Sequence, residues 1–140
     1  MSPPGARALG LDLGERRIGV AVTDSGRTLA VPLCTIERNG KEHGQIRDLV
    51  DEMGIGVVVV GLPKSLDGRI GPAARSISHE AHTLADELKA LGVDVVMHDE
   101  RFTTVEANRA LAGAGKRSRD RRKVVDQTAA CVMLQAWLGG

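Results

Sequence analysis

Aromatic side chains are nearly missing from this 140-residue chain: Phe102 and Trp137 stand alone, and there is no tyrosine. A protein that grips single strands by stacking bases on aromatic platforms needs more of them. Any nucleic acid bound here is therefore expected to be held through backbone phosphates and duplex shape. Cysteine is equally scarce. Cys34 and Cys131 lie far apart, each in an apolar stretch, without the paired spacing of a zinc site. They read as small core residues, and no disulfide is indicated. No apolar run approaches the ~18 residues of a membrane span, and the opening Met1 to Gly5 lacks the apolar stretch of a signal peptide. A cytoplasmic protein with no membrane partner is expected. Nor does one sign of charge dominate: the net charge is +1, which excludes a polycation as a whole.

What is present suffices for one globular domain. The chain is 42% hydrophobic and 26% charged, an ordinary balance that can bury a core without staples. Residues 1–7 read as a short tail and residues 8–140 as the domain. Charge is uneven along it. From Lys116 to Lys123 the chain reads KRSRDRRK, six bases against one acid.

Periodicity gives the order of elements. Leu9, Leu11 and Leu13 alternate with Gly10, Asp12 and Gly14, the pattern of a strand over 8–13, and Arg17 to Thr23 forms a second strand after a tight connection. A third strand is expected over 28–36, with Pro32 pointing to a sheet edge or a bulge. Ile46, Leu49, Val50 and Met53 follow helical spacing up to Gly54. Val57 to Val60, continuously apolar, reads as a strand buried on both faces. A long helix follows, its stripe running from Ile70 through Ala74, Ile77, Ala81, Leu84 and Leu88 to Leu91, and ending at Gly92. Val93 to Met97 is the last strand. Thr103 with Glu106 makes a capping box for a short helix to about Leu111. A basic loop over 113–122 then leads to a final helix of about 124–138, with Val125, Ala129, Val132 and Ala136 on one face. Three antiparallel strands followed by alternating helices and strands imply an α/β fold. Its mixed five-stranded sheet would carry helices on both faces.

Asp12 is the most informative residue. A carboxylate between leucines in mid-strand is costly unless solvated, paired or bound to a cation. Its neighbours on the same face are Gly10 and Gly14, whose missing side chains would leave room for an ion and a phosphate backbone. The plainer alternative is a turn cap, or an ion pair with Arg16 or Arg17. Glu100 lies where the last strand runs out, at the strand ends where α/β sheets gather ligands; Asp99 is its rival, facing the other way. Asp126, in the first turn of the final helix, could equally serve the helix dipole. It borders the apolar face, and the small Ala129 and Ala130 allow close approach to the sheet. Together the three acids suit Mg²⁺ or Mn²⁺, which accept oxygen ligands and serve phosphodiester cleavage. His82 and His98 read as core or surface residues rather than ligands.

In order along the chain, Leu9-Gly10-Leu11-Asp12-Leu13-Gly14 with Arg17-Ile18-Gly19-Val20-Ala21, Val60-Gly61-Leu62-Pro63 with Asp67-Gly68, Asp99-Glu100-Arg101-Phe102-Thr103-Thr104-Val105-Glu106-Ala107, and Asp126-Gln127-Thr128-Ala129-Ala130 resemble the blocks of the YqgF/RuvX family. The likeness covers nearly everything from Ala8 onward. It implies an RNase H-like fold related to Holliday-junction resolvases, with the acidic site at Asp12, Glu100 and Asp126. It also implies nuclease processing of the 5′ end of pre-16S rRNA or, alternatively, resolution of four-way DNA junctions. One departure from the wider resolvase superfamily is that Ala129 and Ala130 stand where a fourth acid is often found, leaving a second metal ion less firmly specified. For substrate phosphates the candidates are Arg16, Arg17, Lys64 and Arg101, together with Lys116, Arg117, Arg119, Arg121, Arg122 and Lys123. The partner is then structured RNA or branched DNA; a homodimer would match a two-fold junction. Two other readings compete. An actin- or sugar-kinase-like phosphotransferase also opens on G-x-D-x-G, but it needs a second domain that 140 residues cannot supply. A non-catalytic assembly or junction-binding protein would have no need of the three acids.

Overall fold

The computed structural model describes residues 5–63, 71–100 and 119–139, with the backbone alone for 119–123. Five strands form one sheet: β1 (Arg7–Leu13), β2 (Arg17–Thr23), β3 (Ala30–Glu37), β4 (Ile55–Leu62) and β5 (Asp94–Asp99), in the order β3-β2-β1-β4-β5. β1 to β3 are antiparallel neighbours, and β4 and β5 run parallel to β1. Among the described residues three helices, α1 (Glu42–Met53), α2 (Pro72–Lys89) and α3 (Arg119–Gly139), cover it. The mixed sheet expected from the sequence is the one observed. Among the described residues no helix is long and apolar enough to cross a membrane.

The alternation in β1 sorts the two faces. Leu9, Leu11 and Leu13 join Ile46 and Val50 of α1 and Ala81, Leu84 and Leu88 of α2 in one core layer. Ala8 joins Val57 and Val59 of β4 and Ala129, Ala130, Met133 and Leu134 of α3 in the other. β4 feeds both layers, which is why it reads as an unbroken apolar run. Pro32 sits on the edge strand β3, where the ladder skips a residue: Val20 pairs with Cys34 but Ala21 with Pro32. Both expectations for that proline hold, because an edge position needs no N–H from it. Gly54 ends α1 with φ 67° and ψ 47°, a left-handed cap.

Three expectations need correction. Leu91 is not part of the α2 stripe; the helix stops at Lys89 and Leu91 is 52% exposed. The last helix starts at Arg119, so part of the basic segment is helical rather than loop. Charged residues carry no apolar period, and the pattern was blind to those first turns. The buried face of α3 is accordingly Ala129, Ala130, Met133 and Leu134, rotated from the one expected. The predicted short helix over 103–111 lies outside the described residues.

Candidate functional site

With α3 beginning at Arg119, Asp126 lies about two turns inside the helix. The dipole at the helix start therefore does not account for it, since that effect fades within the first turn. At helical spacing Asp126 leads into Ala130, Met133 and Leu134, and so belongs to the side facing the sheet.

The sheet register brings the three acids to one level. Asp12 pairs with Gly19 of β2, and the pairing of Leu11 with Val60 sets Gly61 of β4 beside Asp12 on the other flank. Asp12 therefore stands between two glycines on the face covered by α3. A β-carbon at Gly19 would collide with the main chain of Asp126, and one at Gly61 with the carboxyl group of Glu100. Asp126 and Glu100 thus approach the row from both sides, through gaps that the glycines leave. The role expected for Gly10 and Gly14 is corrected. The space beside Gly10 is filled by Leu134, whose Cβ would lie 2.9 Å from an added β-carbon, and Gly14 faces the carbonyl of Arg17 in the turn.

Asp12 and Glu100 are buried, 9% and 4% exposed. Both line a cavity of about 600 Å³ at the C-terminal ends of β1 and β4, with Glu15, Arg38, Pro63 and Glu80 among the other lining residues. Asp99 does not line it. Burying like charges together costs on the order of several kcal/mol per ion, a cost that an oxygen-ligated divalent cation would offset. The donor chemistry of this pair fits such an ion. Asp126 does not line the cavity; its Oδ2 accepts a 2.8 Å bond from Nε of Arg17. Among the described residues, no three His, Cys, Asp or Glu side chains are grouped as a ready metal cage.

The cationic candidates are dispersed. Arg16 is exposed on the β1–β2 turn and Arg17 is half-buried at the start of β2. The backbones of Arg119, Arg121, Arg122 and Lys123 form the first turns of α3. Lys64, Arg101, Lys116 and Arg117 lie outside the described residues.

Sequence reasoning missed the wall of the cavity. Arg38 donates Nε–H to the Gly14 carbonyl at 2.8 Å and both terminal nitrogens to Glu80, each at 2.8 Å. Glu80 also meets Nε2 of His43 at 2.8 Å, while Nδ1 of His43 meets Glu87 at 2.9 Å. This chain of ion pairs ties the end of β3 and the start of α1 to α2, and it holds the turn after Asp12. Burial works against charge on His43, but its bonds to Glu80 and Glu87 outweigh that and raise its pKa above the ordinary imidazole value. Burial likewise opposes charge on Glu80, yet the bonds from Arg38 and His43 leave its pKa below the usual carboxylate value. Arg38 and Glu80 are 42 positions apart, and no local pattern links them.

The fold defines a class before the sequence defines a family. Two structures of Thermus thermophilus RuvC, one in complex with a Holliday junction substrate, share the RNase H-like architecture. Their TM-scores are 0.57 and 0.54 at 16% identity, over at least 94% of either chain. Residues 6–140 match the family described as RuvX: Holliday junction resolvase, and the chain belongs to that family. A relative from Mycobacterium ulcerans is 47% identical over 136 residues, 94% of this chain and 78% of the relative. One from Thermoanaerobacter pseudethanolicus is 38% identical over 135 residues, 94% and 95% of the two chains. Both bear the name "Putative pre-16S rRNA nuclease".

Proposed function

We propose that this protein is a cytoplasmic, metal-dependent endonuclease for structured nucleic acid, with the 5′ end of pre-16S rRNA as its substrate. The observation that carries the reading is the pair of buried carboxylates, Asp12 and Glu100, facing one cavity at the ends of parallel strands. The names of its relatives supply the RNA. Asp12, Glu100 and Asp126 would hold the ion, Mg²⁺ or Mn²⁺, as an all-oxygen set. Bound there, such an ion would supply Lewis acidity toward the attacking water and the departing oxygen of a phosphodiester. The chain's own contribution is placement. Arg38, Glu80 and Gly14 fix the turn behind Asp12. Arg16, Arg17, Lys64, Arg101 and the basic residues from Lys116 to Lys123 draw in the phosphates. The nearly absent aromatics leave phosphate and shape as the means of recognition.

A second reading, resolution of four-way DNA junctions, is favoured by the family description. One experiment decides. The purified chain is incubated with a precursor rRNA fragment and with a synthetic four-way junction, in Mg²⁺, Mn²⁺ or EDTA, beside Asp12→Asn. Cleavage of the RNA that needs metal and is lost in the variant is expected. Equal cleavage by the variant, or none with metal, would sink the nuclease reading; preference for the junction, with a dimer in solution, would favour the second.

A further inference from the structure

Arg17 opens β2 two residues before Gly19, on the same face, and both touch Asp126. Gly19 admits the main chain of Asp126 against the sheet. Nε of Arg17 donates to its Oδ2 at 2.8 Å, with the two side chains 16% and 20% exposed. One strand thus fixes both the backbone and the carboxylate of this acid. Among the described residues the guanidinium makes no other hydrogen bond or ion pair.

We propose that Arg17 is a positioning residue for the metal site. Its planar guanidinium holds the Asp126 carboxylate in one rotamer, as partners of metal-bound side chains commonly do. The inference rests on Asp126 being a ligand. An unbridled aspartate in this helix would have to lose side-chain freedom each time an ion bound. The bond to Asp126 uses Nε alone, and contact with a substrate phosphate is the competing role for this residue. Positioning and phosphate contact make different demands on experiment.

The test is calorimetric titration of the full chain with Mn²⁺ alone, which needs no turnover, beside KM and kcat for nucleic-acid cleavage. Arg17→Met and Arg17→Lys should each weaken Mn²⁺ binding about 10–100-fold. Placed on Asp126→Asn, Arg17→Met should add almost no further loss, since the two residues act as one unit. Circular dichroism checks folding, and the lysine variant preserves the charge should the methionine variant fail to fold. Unchanged Mn²⁺ affinity with a raised KM would make Arg17 a phosphate contact only and overturn the proposal. Full affinity in Arg17→Lys would overturn it too, because charge alone would then suffice. If Asp126→Asn itself binds Mn²⁺ as tightly as the unaltered chain, Asp126 is no ligand. That outcome sinks the reading beneath the proposal, and it is distinct from loss in Asp126→Asn with none in the Arg17 variants.

Discussion

Gly19 and Gly61 flank Asp12, and each stands where a β-carbon would meet something that matters, but the two obstacles differ in kind. At Gly61 the obstacles are side chains, the end of Glu100 and, at 3.2 Å, Met133, and side chains can shift. At Gly19 the obstacle is the main chain of Asp126, which can retreat only if α3 moves with it. Gly61→Ala should therefore leave the urea midpoint nearly unchanged while lowering cleavage tenfold or more, roughly the loss of one well-placed ligand. Gly19→Ala should cost about 1–3 kcal/mol of stability, as overpacking does, seen as a shifted midpoint. The reverse ranking would show that Glu100 is held rigidly and α3 is not. At this scale the sequence spoke unevenly. Asp12 stood out because an acid between leucines demands a reason. The glycines that serve it, 19 and 61, lie on other strands, and only the register reveals them. The bond between Arg17 and Asp126 spans 109 positions, beyond any periodicity.

At the level of elements, the clamp between α1 and α2 should titrate. His43 faces Glu80 and Glu87 of α2, and Arg38, Glu42 and Arg47 complete the cluster. Its pKa is raised in the folded chain above the ordinary 6.5. A raised value means that the charged histidine contributes stability fully below that ordinary value. The contribution fades as pH climbs through the higher folded value. The stability advantage of the native chain over His43→Gln should therefore be greatest in mild acid, about 1 kcal/mol or less for a partly exposed pair, and vanish in mild alkali. Urea midpoints across that range check it; a difference that grew with pH would contradict the protonated bridge. Elements with an apolar period, such as β1 and most of α2, or an unbroken apolar run, as in β4, were legible in advance. The start of α3 was not, because its first turns carry charge where a stripe would be, and with it went the true depth of Asp126 in the helix.

For the whole molecule, the near-zero net charge and the concentrated basic segment make a definite claim about binding. Each phosphate contact contributes roughly 0.9 to the slope of log affinity against log salt on duplex DNA, and each lost contact removes that much. Replacing Lys116, Arg117, Arg119 and Arg121 by glutamine should flatten the slope by up to ~3–4. Mn²⁺ affinity should not change. Filter binding at several salt concentrations measures the slope, and an unaltered slope would return the segment to the role of a solvated face. The fold class was readable from the order of strands and helices, because connections in such sheets have few choices. The cavity was not, since its wall joins β3, α1 and α2 through charges rather than apolar spacing.

The seating of α3 has a mechanical consequence. The helix is keyed into the sheet at two places, Asp126 against Gly19 and Leu134 against Gly10. They lie roughly 12 Å apart along its axis at ~1.5 Å per residue. A rod pinned twice can neither slide nor roll. Its pitch between the pins becomes a fixed gauge, intolerant of an inserted or deleted residue anywhere from Gln127 to Met133, however bland the residue and however far from the acids it falls.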